Sequence, residues 1–211
     1  MYLSRIVLDL RHPSVRQALR DCNDMHRNLM QGFPTVQGEI PARNSAGVLY
    51  RLVERRDGVS LLVTSDAVPD RQALGIRGYG LSADSPKDIS RLEQVFVEGM
   101  ALRFELLAAP CKKQAGDQKN SRRMFLRSQG ERMEWLSRKA QQHGFEIIEA
   151  SENSNPINIE GTKREMRIHY EAVRFVGTLR ILDRERFWQA YCTGIGPGKS
   201  YGMGMLTVAR R

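Results

Sequence analysis

The chain has 211 residues, enough for one large or two small domains with a substantial core, and 41% of them are hydrophobic, which argues against disorder. Lys and Arg number 33 against 24 Asp and Glu, a net charge of +9 that points to an acidic partner. Nucleic acid is favoured over membrane, because no apolar run approaches the ~18 residues needed to span a bilayer. The first residues carry no secretory pattern, so a cytoplasmic protein is expected. Cys22, Cys111 and Cys192 are scattered, and His12, His26, His143 and His169 form no ligand pair, so neither a metal nor a cofactor is expected.

Tyr2 to Leu10 is apolar enough for a strand. A helix then starts at His12-Pro13-Ser14, with Ser14 and Gln17 at capping-box spacing, and an apolar stripe of Val15, Leu19, Cys22, Met25 and Leu29 carries it to Gly32. Thr35 to Ala46 reads as a loop. Val48 to Glu54 and Val59 to Ser65 flank Asp57-Gly58, a hairpin signal. A short helix from Val68 to Leu74, an unassigned stretch from Gly75 to Lys87 and a strand from Ile89 to Val97 complete a β-α-β-β-α-β series.

Met100 to Ala109 opens a second series, with Glu98-Gly99 as the expected boundary between domains 1–98 and 99–211. A basic stretch with Lys112, Lys113, Lys119, Arg122, Arg123 and Arg127 follows. Gly130 to His143 reads as a helix stopped by Gly144, Phe145 to Glu149 as a strand, and Asn153 to Thr162 as a loop. Glu165 to Leu182 reads as one long strand or a bent pair, Asp183 caps a helix, and Met205 to Val208 is the last strand. Two β-α-β-β-α-β copies predict an α+β protein of tandem ferredoxin-like domains, the scaffold that RNA-recognition modules also use. There is no aromatic RNP1 motif, so the sheet faces are poor base-stacking platforms.

Between the last helix and strand stands Gly194-Ile195-Gly196-Pro197-Gly198-Lys199-Ser200-Tyr201-Gly202-Met203-Gly204. Such glycine density implies a loop moulded against a partner, and its N–H groups with Lys199 would suit phosphates. It is not a P-loop: residue 193, where the first glycine would stand, is Thr193, and a strand follows instead of a helix.

On the first helix, ~100° per residue brings Arg16, Arg20 and Arg27 within roughly 40° of one another, with His26 at the seam between this basic edge and the core. RNA carries its own nucleophile in the 2′-OH. Cutting it needs in-line geometry, a base, an acid for the leaving oxygen and cations on the phosphate. A lone histidine among arginines fits part of that requirement, and fits a core histidine as well.

Several segments together resemble a known family. Met1-Tyr2-Leu3-Ser4-Arg5, Met25-His26-Arg27, Leu102-Arg103-Phe104 with Ala109-Pro110, Trp135-Leu136, Gly194 to Ser200 and Gly202-Met203-Gly204-Met205-Leu206 are similar to CasE, the CRISPR-repeat endoribonuclease family of type I-E systems. The resemblance implies tandem ferredoxin-like domains that bind the repeat RNA hairpin, cleave without metal at the 3′ base of its stem, and stay with the product in the Cascade complex beside its other subunits. By position, His26 matches the catalytic histidine and Arg27 a phosphate-stabilising residue. Arg122 and Arg123 match a basic element along the stem, and Lys163 with Arg164 a hairpin near the cut. Lys199 with Gly194, Gly196, Gly198, Gly202 and Gly204 matches the terminal loop, expected to be structural with a phosphate contact. Family members commonly carry a tyrosine three residues before the histidine to help activate the 2′-OH, where this chain has Asn23. Another residue substitutes, or His26 works with water and RNA positioning, or turnover is weak. Two other readings are a repeat-binding Cascade subunit with weak or no cleavage, and a non-catalytic tandem-domain RNA-binding protein.

Overall fold

The computed structural model describes residues 1–33, 47–56, 58–70, 80–83, 85–113 and 123–210. Two antiparallel sheets dominate it. In the first, β1 (Tyr2–Leu8) lies between β3 (Gly58–Ser65) and β4 (Gly80–Ala83), and β2 (Leu49–Arg55) pairs with β3. The predicted hairpin forms with Arg55 opposite Gly58. In the second, β6 (Ala101–Ala108) lies between β11 (Met166–Ile181) and β12 (Leu206–Arg210), with β9 (Phe145–Glu152) outside β11. Taking β1–β4 in the first sheet and β6, β9, β11 and β12 in the second, and numbering each set of four in chain order, gives the order 2-3-1-4 twice, the ferredoxin-like arrangement predicted from the repeated pattern.

Differences from the sequence reading have local causes. The single first helix is two helices, α1 (Pro13–Arg20) and α2 (Cys22–Met30). They break at Asp21, whose extended backbone (φ −127°, ψ 110°) lets its carboxylate accept from the N–H groups of Asn23 and Asp24 and so cap α2. Arg27 therefore does not continue a single helical edge with Arg16 and Arg20. The start of α1 is capped by His12, whose Nδ1 accepts from the Ser14 N–H, and not by a Ser14 capping box. Ala18 is buried where Leu19 was expected, and Leu19 is 37% exposed.

Of the predicted helix from Val68 to Leu74, residues 71–74 lie outside the described residues, as do positions 75–79 and 84 of the stretch that followed it; residues 68–70 are not helical. The strand expected at Ile89 to Val97 is a short helix, α3 (Leu92–Val95), preceded by β5 (Lys87–Asp88), which pairs with the start of β1. Leu92 and Phe96 stand four apart, the spacing of one helical face, and both pack into the second core, so the partner surface selects helix over strand. The loop expected at Asn153 to Thr162 contains β10 (Ile157–Lys163), which pairs with residues 166–172 of β11. Strand β11 thus serves β10 with its first half and β6 and β9 with its second.

Each half has its own core. Ile6, Leu8, Val15, Met25, Leu29 and Leu61 are central to the first. The second is aromatic: Phe187 meets Phe96 and Phe145 edge-on at centroid separations of 5.1 and 5.8 Å. Helix α4 (Gln129–Gln142) begins in a capping box of Ser128 and Glu131 and buries Trp135 and Leu136, and α5 (Arg184–Thr193), capped by Asp183, buries Phe187. A small hairpin of β7 (Cys111–Lys113) and β8 (Arg123–Phe125) stands between β6 and α4.

Candidate nucleic-acid interface at the domain seam

The two halves are joined by polar contacts that bear on α2. Asp21 uses its second carboxylate oxygen to accept from the Thr162 N–H at 3.0 Å, and the Asn23 carboxamide donates to the Thr162 carbonyl at 3.0 Å. The end of β10 is thereby bonded on both sides to the first turn of the helix that carries His26. The approach is close enough that a Cβ on Gly161 would lie 2.6 Å from Asp21 Oδ1 and 2.8 Å from Cys22 Sγ, so glycine is required there. Farther along the seam, buried Arg51 on β2 donates to Glu105 at 2.5 Å and to Thr207 at 2.8 Å, and Arg174 also donates to Glu105. Burial pushes the Glu105 carboxyl up, but the hydrogen bonds and charge of Arg51 and then Arg174 outweigh it and hold its pKa below the ordinary value.

Between Gly194 and Gly204 the glycine-rich loop is moulded against the other half of the chain. Gly194, Gly196, Gly198, Gly202 and Gly204 all have positive φ. The Ile195 N–H donates to the Gly204 carbonyl and the Gly204 N–H to Leu107, so the two ends of the loop close on each other and on β6. Its middle is a 3₁₀ turn, Lys199–Tyr201, over which Tyr50 of β2 donates its hydroxyl to the Ser200 carbonyl at 3.1 Å. Gly202 packs on the same ring: a Cβ there would sit 3.2 Å from Tyr50 Cε2 at φ 80°.

His26 is half-buried on α2, and the ring it faces is Tyr201, edge-on, with centroids 6.3 Å apart and planes at 78°. On the next position of the helix, Arg27 is exposed and pairs with Asp24 at 3.4 Å; an exposed pair of this kind is weak and easily exchanged for a phosphate. Lys163 ends β10 and Arg164 forms, with Glu165, the two-residue turn into β11; all three are exposed. Both turn residues have positive φ, 46° and 67°, a mirror-type hairpin turn that side chains other than Gly and Asn adopt at a cost. Because Thr162 is bonded to Asp21 and Asn23, this basic tip stands beside the start of α2.

Arg123 is exposed on β8 and lines a cleft with Phe125, Arg127, His169 and Tyr170. Arg122 lies outside the described residues. Tyr170 faces Tyr201 with centroids 5.9 Å apart, so two tyrosine rings connect the cleft to His26. The cleft wall is fixed from inside by Arg132, which is buried, pairs with Glu152 through two hydrogen bonds of 2.7 Å and donates to the Arg127 carbonyl at 2.6 Å. Lys199 lines a different pocket, with Asp66, Cys192 and Thr193. A third hollow of about 290 Å³ lies at the seam, lined by Arg20, Cys22, Tyr50, Leu52, Ile159 and Tyr201. Burial, with the charge of Asp21, pushes the Cys22 thiol up to about 11, which keeps it protonated and unreactive at neutral pH.

Sequence reasoning missed Tyr201, Tyr170 and Arg132. Tyr201 stood inside the glycine-rich motif and could have been singled out as its aromatic residue, but nothing in the spacing links residue 201 to residue 26. Asn23 is 7% exposed and its carboxamide is committed to Thr162, so it is a structural tie between the halves. No helix among the described residues is long and apolar enough to cross a membrane, and no group of three His, Cys, Asp or Glu side chains among them is placed to hold a metal ion.

Fold and site together define a protein of two ferredoxin-like domains, with a histidine at their seam, a basic hairpin tip beside it and a basic, aromatic-lined cleft leading to it. The CRISPR associated protein family matches residues 1–210, and the chain belongs to that family. It is 29% identical to the CRISPR-associated endoribonuclease Cse3 of Thermus thermophilus over 99% of this chain and 100% of that protein. The Thermus thermophilus Cse3 structure bound to an RNA representing a pre-cleavage complex superposes with a TM-score of 0.82 at 28% identity, covering 99% of this chain and 98% of that one. A chain of a CRISPR RNA-guided surveillance complex in a pre-nicking state superposes with a TM-score of 0.73 at 28% identity, with 100% of both chains covered.

Proposed function

We propose that this protein is an endoribonuclease that binds the hairpin of CRISPR repeat RNA, cleaves precursor RNA at the 3′ base of the stem and retains the product within a surveillance complex. The observation that carries the reading is the placement of His26: a half-buried imidazole at the seam, one helical turn from the point where Thr162, next to the basic 163–164 tip, is bonded to α2. The division of labour follows the halves, with residues 1–98 supplying the histidine helix and residues 99–211 the cationic surface.

In this reading the stem lies along the cleft of Arg123 and Arg127, with Arg122 next to them in sequence, and the strand leaving the stem crosses His26. Phosphates there meet Arg27, Lys163 and Arg164. The 2′ oxygen attacks the adjacent phosphorus, the P–O5′ bond breaks, and His26 protonates the departing O5′. The products are a 2′,3′-cyclic phosphate and a 5′-hydroxyl, with the 2′-OH proton passing to solvent or another base. The step requires no metal ion, since the nucleophile belongs to the substrate. Lys199 and the five loop glycines serve mainly to hold the halves together.

A second reading, a subunit that holds the hairpin and cuts it weakly, is favoured by one feature: a carboxamide cannot act as a base, and that of Asn23 is in any case bonded to the Thr162 carbonyl. Incubation with the organism's own repeat transcript and with a scrambled hairpin tests both. Cutting at one position in the repeat alone supports the first reading; tight selective binding without products supports the second; equal binding to both RNAs contradicts each.

A further inference from the structure

We propose that Tyr201 is a positioning residue of the cleavage site: its ring sets the orientation of the His26 imidazole, and the glycine-rich loop takes part in the reaction by presenting that ring. The inference rests on the reading of His26 as the general acid.

An imidazole on a helix can turn about its last side-chain bond unless its neighbours hold it. A general acid must instead be aimed at one oxygen within hydrogen-bond reach. One contact that restricts His26 is a ring that comes from the other half of the chain. Tyr201 meets it edge-on with centroids 6.3 Å apart, inside the range over which aromatic pairs attract. Tyr201 is itself held from several sides. Tyr170 faces it from β11 with centroids 5.9 Å apart. The turn that carries it is bounded by left-handed Gly198 and Gly202, and Tyr50 bonds that turn at Ser200. The result is a row of rings, Tyr170 to Tyr201 to His26, that runs from the second sheet to α2.

Burial, then the neighbouring Cys22, Tyr170 and Asp21, raise the Tyr201 pKa, so the phenol stays neutral at the pH of the reaction. It acts through its ring and not as a phenolate. This assigns the motif around Gly198-Lys199-Ser200-Tyr201-Gly202 a purpose beyond closing the sheet. Its positive-φ glycines shape a tight turn that sets one half-buried aromatic ring against α2.

The test measures single-turnover cleavage and Kd for the repeat hairpin with wild type, His26→Ala, Tyr201→Leu and Tyr201→Phe. The expected result is a rate about tenfold lower for Tyr201→Leu, the upper end of what an aromatic pair is worth. Its Kd should be unchanged, and Tyr201→Phe should recover most of the loss. A leucine variant as fast as wild type overturns the inference, as does a loss that lies wholly in Kd or an equal loss in the phenylalanine variant. Cleavage by wild type that persists in His26→Ala would instead overturn the reading of His26. A nuclear Overhauser contact between the ring protons of His26 and Tyr201, recorded on wild type without RNA, decides the matter if the leucine variant fails to fold or wild type fails to cut: its absence overturns the inference.

Discussion

Asp21 carries two loads that can be separated by mutation. One carboxylate oxygen accepts from the N–H groups of Asn23 at 2.8 Å and Asp24 at 3.2 Å, capping α2; the other accepts from Thr162 at 3.0 Å, tying that helix to β10. Asparagine caps helices about as well as aspartate, but it has one carbonyl oxygen. With that oxygen on the cap, Asp21→Asn turns an NH₂ toward the Thr162 N–H and loses the bond between the halves, a cost of about 1.5 kcal/mol for a charge-assisted hydrogen bond. Asp21→Ala loses the cap as well, another ~1 kcal/mol. For a chain of this length each kcal/mol lowers Tm by roughly 2–4 °C. Calorimetry should therefore place Asp21→Asn about 3–6 °C and Asp21→Ala about 5–10 °C below wild type. Cleavage at 25 °C should fall in the same order, because the same contacts set the height of His26 against the 163–164 tip. Coincident melting curves for wild type and Asp21→Asn would refute the assignment of the second oxygen to the joint.

The Arg164-Glu165 turn should be more stable as Asn-Gly, the pair its positive φ angles suit, by at least ~1 kcal/mol. The double variant should melt higher yet bind hairpin RNA with a salt slope shallower by about one, having lost one phosphate contact; unchanged melting and slope would count against both the strain and the contact. At the seam, Glu105 has its carboxyl pKa depressed in the fold, so its contribution to stability is complete above the ordinary glutamate value of 4.5 and is lost as pH falls below it. The Tm difference between wild type and Glu105→Gln should be largest at neutral pH and close on acidification, whereas a difference independent of pH would contradict the linkage.

Legibility followed range. The second half could be read almost element by element, because Ser128 with Glu131, Gly144 and Asp183 are local signals that cap or end a helix whatever surrounds it. The interruption at Asp21 was hidden inside an apolar stripe that stays in step on both sides, and what favours it is a bond to Thr162, 141 residues away. Strand β10 was obscured by Asn, Pro and Gly, although Ile157, Ile159 and Gly161 alternate as a strand should. Residues 89–97 read as a strand because their apolar content suits either state, and the core of the other half decides for helix over Leu92–Val95. Of the site, His26 could be singled out as a helical histidine beside arginines. Its neighbour Tyr201 could not, since only the packing of the glycine-rich loop on Tyr50 brings residue 201 to α2.

The central claim is cleavage by the substrate's own hydroxyl with His26 as the acid. The most direct measurement is single-turnover cleavage of the repeat hairpin in EDTA, with wild type and His26→Ala, on RNA that is unmodified or carries one 2′-deoxy nucleotide at the cut. The account predicts that wild type cuts the unmodified RNA to a 2′,3′-cyclic phosphate and that either change abolishes it. Cutting of the deoxy substrate, or full activity without His26, would contradict it.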